Sequence, residues 1–208
     1  MALLNTTRGQ RSERCPRCNL PKQWCFCSQT EILDLPTQII LLRHPKEKFR
    51  SSGTGFLPSL CLKSFQIVEP EELETLLKGL ETPIALLFPP DGDSDGRLPD
   101  YSPNRMEGLK TMIVPDGSWS EARRMVRRSP ELRQLPRVSP PMGDRWLSMP
   151  LRQDKWNRPC TAEAIGHWLA NEGYMQATDR LRHILIQFVE AHWKARGRSL
   201  FRENGDGI

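Results

Sequence analysis

One carboxylate, one hydroxyl and one indole stand together in the stretch IVPDGSWSEARRMVRRSP, residues 113–130, as Asp116, Ser118 and Trp119. They mark the junction between an apolar run and an arginine-rich segment. A carboxylate at such a junction is able to take a proton from a nucleophile as general base. An indole offers an apolar wall, and arginines attract a polyanion. The same residue types also describe a turn with a capped helix and a core tryptophan. On residue types alone, that plainer reading is favoured for Asp116.

A second constellation lies near the N-terminus. Cys15, Cys18, Cys25 and Cys27 are spaced C-x2-C-x6-C-x-C. Four thiolates close a tetrahedral site, and a loop-rich head whose apolar residues are mainly Leu20, Trp24 and Phe26 requires such a staple. Zinc is the expected occupant. A redox Cys-x-x-Cys opens a helix after a strand, and no strand precedes this one. Cys61 and Cys160 stand alone and receive no role. Six cysteines in a chain expected to be cytoplasmic argue against a disulfide framework.

Two basic blocks flank an acidic middle. Residues 1–50 carry nine Lys/Arg against four Asp/Glu, residues 120–160 ten against four, and residues 69–116 four against eleven. This asymmetry suggests a polyanionic partner meeting one side, and solvated faces are the competing explanation. Arg43, His44, Lys46, Lys48 and Arg50 follow an apolar run, which puts cations where α/β proteins bind ligands. Arg123/Arg127 and Arg124/Arg128 sit at i, i+4, where like charges cost an isolated helix roughly 0.2–0.5 kcal/mol per pair. Phosphates would neutralise that repulsion, as would acidic neighbours from the middle segment.

The elements that must position these groups follow from the apolar pattern. TQIILLRH (37–44), SFQIVEP (64–70), TPIALLFPPDG (82–92) and LKTMIVPDG (109–117) read as buried strands. EELETLLKGL (71–80) is helical, with Leu73, Leu76, Leu77 and Leu80 on one stripe. A helix is expected from about Trp119 to Ser129-Pro130. Another is expected over CTAEAIGHWLANEG, with Thr161 as N-cap, Glu163 in the first turn and Gly173 just past the end. A last helix runs from about Asp179 to Arg196. GDSDGRLPDYSPN reads as loop, and prolines 136, 140, 141 and 150 mark a long irregular segment. Continuous apolar strands alternating with amphipathic helices predict an α/β fold with a mainly parallel, buried sheet. The 208 residues suffice for that domain (31–208) and a small four-cysteine head (10–30). No apolar run reaches the ~18 residues of a membrane span, and the N-terminus lacks the apolar core of a secretory signal.

PDGSWSEARRM, the four-cysteine head, RHPKE, LLFP and CTAEAI occur in the order found in the DTW-domain family, which the chain resembles over nearly its whole length. The signature D-x-[ST]-W is Asp116, Gly117, Ser118 and Trp119. Ser118 stands where many members have threonine, and Gly53 where asparagine is common. The resemblance is to the bacterial tRNA-uridine aminocarboxypropyltransferases. It implies a SPOUT-like fold with a C-terminal trefoil knot, S-adenosylmethionine (SAM) as co-substrate, and transfer of its 3-amino-3-carboxypropyl group to N3 of a uridine in the tRNA variable region. It makes Asp116 the catalytic base and assigns Trp119, Ser118, Leu86, Phe88, Pro89, Thr161 and Ala164 to the SAM pocket. Arg43, His44, Lys46, Arg123, Arg124 and Arg127 become tRNA contacts. Two other functions stay open: a SAM-dependent RNA methyltransferase of the same architecture, and a non-catalytic zinc-bearing RNA-binding module. The last is favoured if Asp116 is buried and satisfied.

Overall fold

In the computed structural model, residues 13–89, 106–139, 146 and 158–196 are described. Five short strands form the sheet: β1 (Gln38–Arg43), β2 (Phe65–Val68), β3 (Ile84–Leu87), β4 (Thr111–Asp116) and β5 (Arg137–Val138). All pair in parallel, in the order β2-β1-β4-β3-β5. The runs of β1, β3 and β4 are apolar without alternation because these strands are covered on both sides, whereas the edge strand β2 buries only Val68. Ile39 and Leu41 of β1, Ala85 and Leu87 of β3, and Met112 and Val114 of β4 enter one apolar cluster. Their neighbours Ile40, Leu42, Leu86, Phe88 and Ile113 enter another.

The helices that cover the two faces are α1 (Leu73–Leu77), α2 (Trp119–Arg128), α3 (Pro130–Gln134), α4 (Thr161–Asn171) and α5 (Met175–Ala195). Leu73, Ala122, Val126 and Leu132 bring α1, α2 and α3 onto the face of Leu86 and Ile113. Trp168 and Leu169 of α4 and Leu181, Ile184, Leu185 and Phe188 of α5 fill the opposite face. Each Leu or Phe side chain closed away in this manner contributes roughly 1.5–3 kcal/mol.

The sheet order places the site. After β1 the chain moves outward to β2, and after β4 it crosses β3 to β5, so connections diverge from the central β1–β4 pair. A crevice opens where connections diverge at the carboxyl ends of parallel strands, and ligands bind there. Arg43 and Asp116 are register partners at that edge.

Several boundaries differ from those read in the sequence. Pro130 ends α2 as expected, but it also occupies the first turn of α3: Ser129 accepts a hydrogen bond from Leu132 N–H at 3.2 Å and caps that second helix. The two-residue β5 is too short to leave a pattern. Helix α5 begins at Met175 rather than Asp179, two residues after Gly173, whose φ of +86° turns the chain. The N-cap of α4 is Cys160, not Thr161, which is the first helical residue. Glu163 completes that start by accepting Cys160 N–H at 3.0 Å. The 92–104 loop and most of the proline-rich segment between β5 and α4, where the resemblance places the knot, lie outside the described residues.

The cysteine head is continuous with the main core. Cys15, Cys18, Leu20, Phe26 and Cys27 share the apolar cluster of α4 and α5. Lys194 of α5 lies 5.6 Å from the Trp24 ring centroid, and Arg180 pairs with Glu31 at 2.7 Å.

Candidate functional site

Asp116 ends β4 and is 5% exposed. Its Oδ1 accepts the Thr161 hydroxyl at 2.7 Å, which ties the last residue of β4 to the first residue of α4. This explains the displaced cap: at the first helical position, the Thr161 hydroxyl is directed to the carboxylate instead of to its own helix. The carboxyl also lies against the backbone of Gly55, where an added Cβ would come 2.5 Å from Asp116 Cγ. Gly55 belongs to the loop between β1 and β2, and close approach is the physical reason for a glycine there. Gly117 likewise serves proximity. It is absent from the described residues with positive φ, while a Cβ on it would meet Glu121 Cβ at 3.1 Å and His44 Cβ at 3.4 Å.

Ser118 caps α2. Its Oγ accepts Glu121 N–H at 3.4 Å, its own N–H donates to Glu121 Oε2 at 2.9 Å, and its hydroxyl also lies 2.6 Å from that oxygen. The S-x-x-E spacing of residues 118–121 is the capping-box signal, and it points to Glu121, a residue outside the expected set of site groups. Glu121 is an electrostatic hub. Arg50 lies 3.5 Å, Lys46 3.7 Å and His44 Nδ1 4.0 Å from its carboxylate. Burial disfavours its charge, but the Ser118 hydroxyl and amide, with Arg50 and His44, outweigh burial and bring the carboxyl down to about 2.

Arg43, His44, Lys46 and Arg50 of the 43–50 segment therefore have protein partners. Arg43 is bonded to Glu69, and Arg50 to Glu47. Among the described residues, Arg123, Arg124, Arg127 and Arg128 of α2 have no ion pair. The internal acidic neighbours foreseen for the basic helix are thus found around the preceding segment instead.

Trp119 opens α2 and is half-buried beside Phe88, with ring centroids 5.9 Å apart. Arg158 covers the indole, its Cζ 4.7 Å from the ring centroid. No motif or periodicity marks Arg158, which is three residues before Thr161 in a proline-broken stretch. Pro89 lies two residues beyond β3 and accepts Arg137 Nη1 through its carbonyl at 3.2 Å. Leu86 is wholly enclosed in the core with Ile113 and Ala122. Ala164 is partly buried one turn into α4, against the cluster shared with α5. The structure thus brings Asp116, Thr161, Ser118, Trp119 and Phe88 to one sheet edge, while Leu86 and Ala164 take packing positions behind it.

The four head cysteines converge, with every sulfur within 4.8 Å of the others. Cys15 and Cys27 are 3.9 Å apart and Cys18 and Cys25 3.8 Å. A tetrahedron with Zn–S bonds of about 2.3 Å has edges of about 3.8 Å. The donor set and its size fit a tetrahedral thiolate-bound metal. Asn19, at φ 56°, makes the turn that returns Leu20 O to Cys15 N–H at 2.8 Å. The Cys18 amide holds the Cys15 thiol down to about 6, against burial, whereas burial pushes Cys18 up to about 11. No described helix is long and apolar enough to cross a membrane.

Comparison with known proteins finds both relatives and a family. The protein named tRNA-uridine aminocarboxypropyltransferase 2 of Drosophila melanogaster is 28% identical over 138 residues, 62% of this chain and 54% of its own. Its namesake in Macaca fascicularis is 25% identical over 127 residues, 55% of this chain and 41% of its own. The chain thus spans about half the length, or less, of these curated relatives. No solved structure matches it significantly. Residues 12–192 match the DTW domain, with the cysteine cluster, the Asp116 edge and most of α5 inside the match, and the chain belongs to the DTW-domain family.

Proposed function

We propose that this protein transfers the 3-amino-3-carboxypropyl group of SAM to N3 of a uridine in the tRNA variable region. The observation that carries the reading is the placement of the family signature: Asp116 and Trp119 stand at the β1–β4 switch point, with Phe88 and the start of α4 beside them. The names of the two relatives supply the reaction class. In the reaction, N3 forms a bond to the γ-carbon of the donor's amino-acid arm. The γ-carbon–sulfur bond breaks, its electron pair stays on sulfur as the neutral thioether of methylthioadenosine, and the N3 proton passes to a base.

SAM supplies a sulfonium with three attackable carbons, so the protein's task is to present one of them. Trp119 and Phe88 form the apolar side of the pocket, and Ser118 fixes the turn between Asp116 and Trp119. Thr161 and Ala164 bring the start of α4 close, and Leu86 and Pro89 support the β3 edge. Asp116 receives the N3 proton. Its burial and its bond from Thr161 are the observations that favour the non-catalytic RNA-binding module, and they equally suit a carboxylate that holds α4 against β4 and thereby shapes the pocket. Zinc in the head is structural, held by Cys15, Cys18, Cys25 and Cys27.

The tRNA backbone is met by Arg123, Arg124 and Arg127, which lead away from the site along α2. Arg43, His44 and Lys46 contribute where phosphate competes with Glu69 and Glu121 for them. The same reading assigns the SPOUT-like class with its C-terminal knot, supported by the parallel sheet and by the return of α4 to the end of β4. The test is mass spectrometry of tRNA incubated with SAM and the protein. Gain of the aminocarboxypropyl group on uridine supports the proposal. Gain of methyl makes the protein a methyltransferase, and an unmodified tRNA that is nonetheless bound makes it an RNA-binding module.

A further inference from the structure

We propose that Arg158 recognises the carboxylate of the donor's amino-acid arm, and so determines which carbon of the sulfonium faces the nucleophile. This inference rests on the donor assigned above. The transferred arm ends in a carboxylate and an ammonium group, and its γ-carbon reacts only if the arm lies along one direction. A guanidinium suits that task, because its planar fork binds a carboxylate through two parallel N–H bonds.

Arg158, among the described residues, places its guanidinium on the signature tryptophan itself, 4.7 Å from the Trp119 ring centroid. A cation–π contact of this kind holds a guanidinium over the ring face. Position supports the same role. Trp119 is three residues beyond Asp116, and Arg158 is three residues before Thr161, whose hydroxyl is 2.7 Å from the Asp116 carboxylate. A tRNA phosphate is the competing ligand for this guanidinium.

Two adenosyl thioethers separate the possibilities. S-adenosylhomocysteine keeps the amino-acid arm, whereas methylthioadenosine lacks it. Calorimetric titration of wild type, Arg158→Gln and Arg158→Lys with both ligands reads the carboxylate contact directly, without turnover. Arg158→Gln is expected to bind S-adenosylhomocysteine roughly 10–100-fold more weakly, as for loss of a charged hydrogen-bonded pair. It should bind methylthioadenosine within about twofold of wild type, which also shows that the variant is folded. Arg158→Lys should fall between, since it retains charge and loses the fork. Equal losses for both ligands would overturn the inference and leave Arg158 as a support for Trp119. Unchanged binding of both would overturn it too, and a selective loss of tRNA affinity would reassign Arg158 to phosphate. If wild-type protein binds neither thioether, the donor reading itself fails, and this inference with it.

Discussion

Replacing Asp116 by Asn keeps the side chain's shape and an acceptor for the Thr161 hydroxyl, while removing its capacity to take a proton. The bond at 2.7 Å changes from charge-assisted to neutral. Hydrogen bonds to charged groups contribute about 1.5–3 kcal/mol and neutral ones about 0.5–1.5, so Asp116→Asn should cost about 1 kcal/mol of stability. In a chain of this length that is a fall of about 2–4 °C in Tm. The rate should respond much more strongly: loss of a positioned general base lowers it about 10²–10⁴-fold, or about 3–5 kcal/mol of barrier. Thr161→Val is the informative partner, because it removes the hydroxyl and leaves the carboxylate. If Asp116 is the base, Thr161→Val should lose less than about tenfold in rate. If Asp116 holds α4 in place, both variants should lose rate alike and bind SAM more weakly. Single-turnover transfer at saturating SAM and tRNA, with calorimetric SAM affinity alongside, distinguishes the outcomes. Wild-type rates in Asp116→Asn would refute a chemical role for the carboxylate.

Protein purified without chelator should contain one zinc per chain by elemental analysis. Cys18→Ser should lower Tm by about 6–12 °C for a loss of about 3 kcal/mol; absence of stoichiometric metal would remove zinc from the head. Arg123→Gln with Arg127→Gln should weaken tRNA binding and flatten its salt dependence by up to about two units, one per lost phosphate contact. An unchanged slope in a salt titration would return these arginines to a solvated face. Glu121, brought down to about 2 in the folded protein, stabilises it above its ordinary pKa near 4.5, and that contribution is lost as pH falls through 2. The shift corresponds to stabilisation on the order of 3 kcal/mol. Denaturant titrations from pH 5 to pH 2 should therefore show a steeper decline for wild type than for Glu121→Gln, and parallel curves would contradict the hub.

The strands were legible because burial on both faces imposes unbroken apolar runs, as in Gln38–Arg43 and Thr111–Asp116. The cysteine cluster was legible because a tetrahedral site restricts both ligand type and spacing. Long-range partners leave no such local trace. Thr161 has a cap-like side chain, and only its proximity to Asp116, 45 residues away in sequence, reveals why its hydroxyl does not cap α4. The 43–50 cations form an evident group in sequence, yet Glu69 and Glu121 engage them only after folding. Gly55 has no local signal in the sequence, because its reason is the Asp116 carboxyl against its backbone. Arg158 depends on Trp119 for its meaning, and no periodicity links the two.

The shared core of the head and α5 sets an order of events during synthesis. Glu31 and Arg180, which join the two, are 149 residues apart. At about 5–20 residues per second, the ribosome completes the cysteine cluster roughly 7–30 s before it releases the helix on which that cluster rests. For that interval the apolar floor beneath Leu20 and Phe26 does not exist, and the thiols await a helix not yet translated. A metal captured early would hold the four sulfurs together and protect them from oxidation until α5 arrives. The nascent chain's survival would then depend on zinc supply at the moment of translation, before the finished protein meets any substrate.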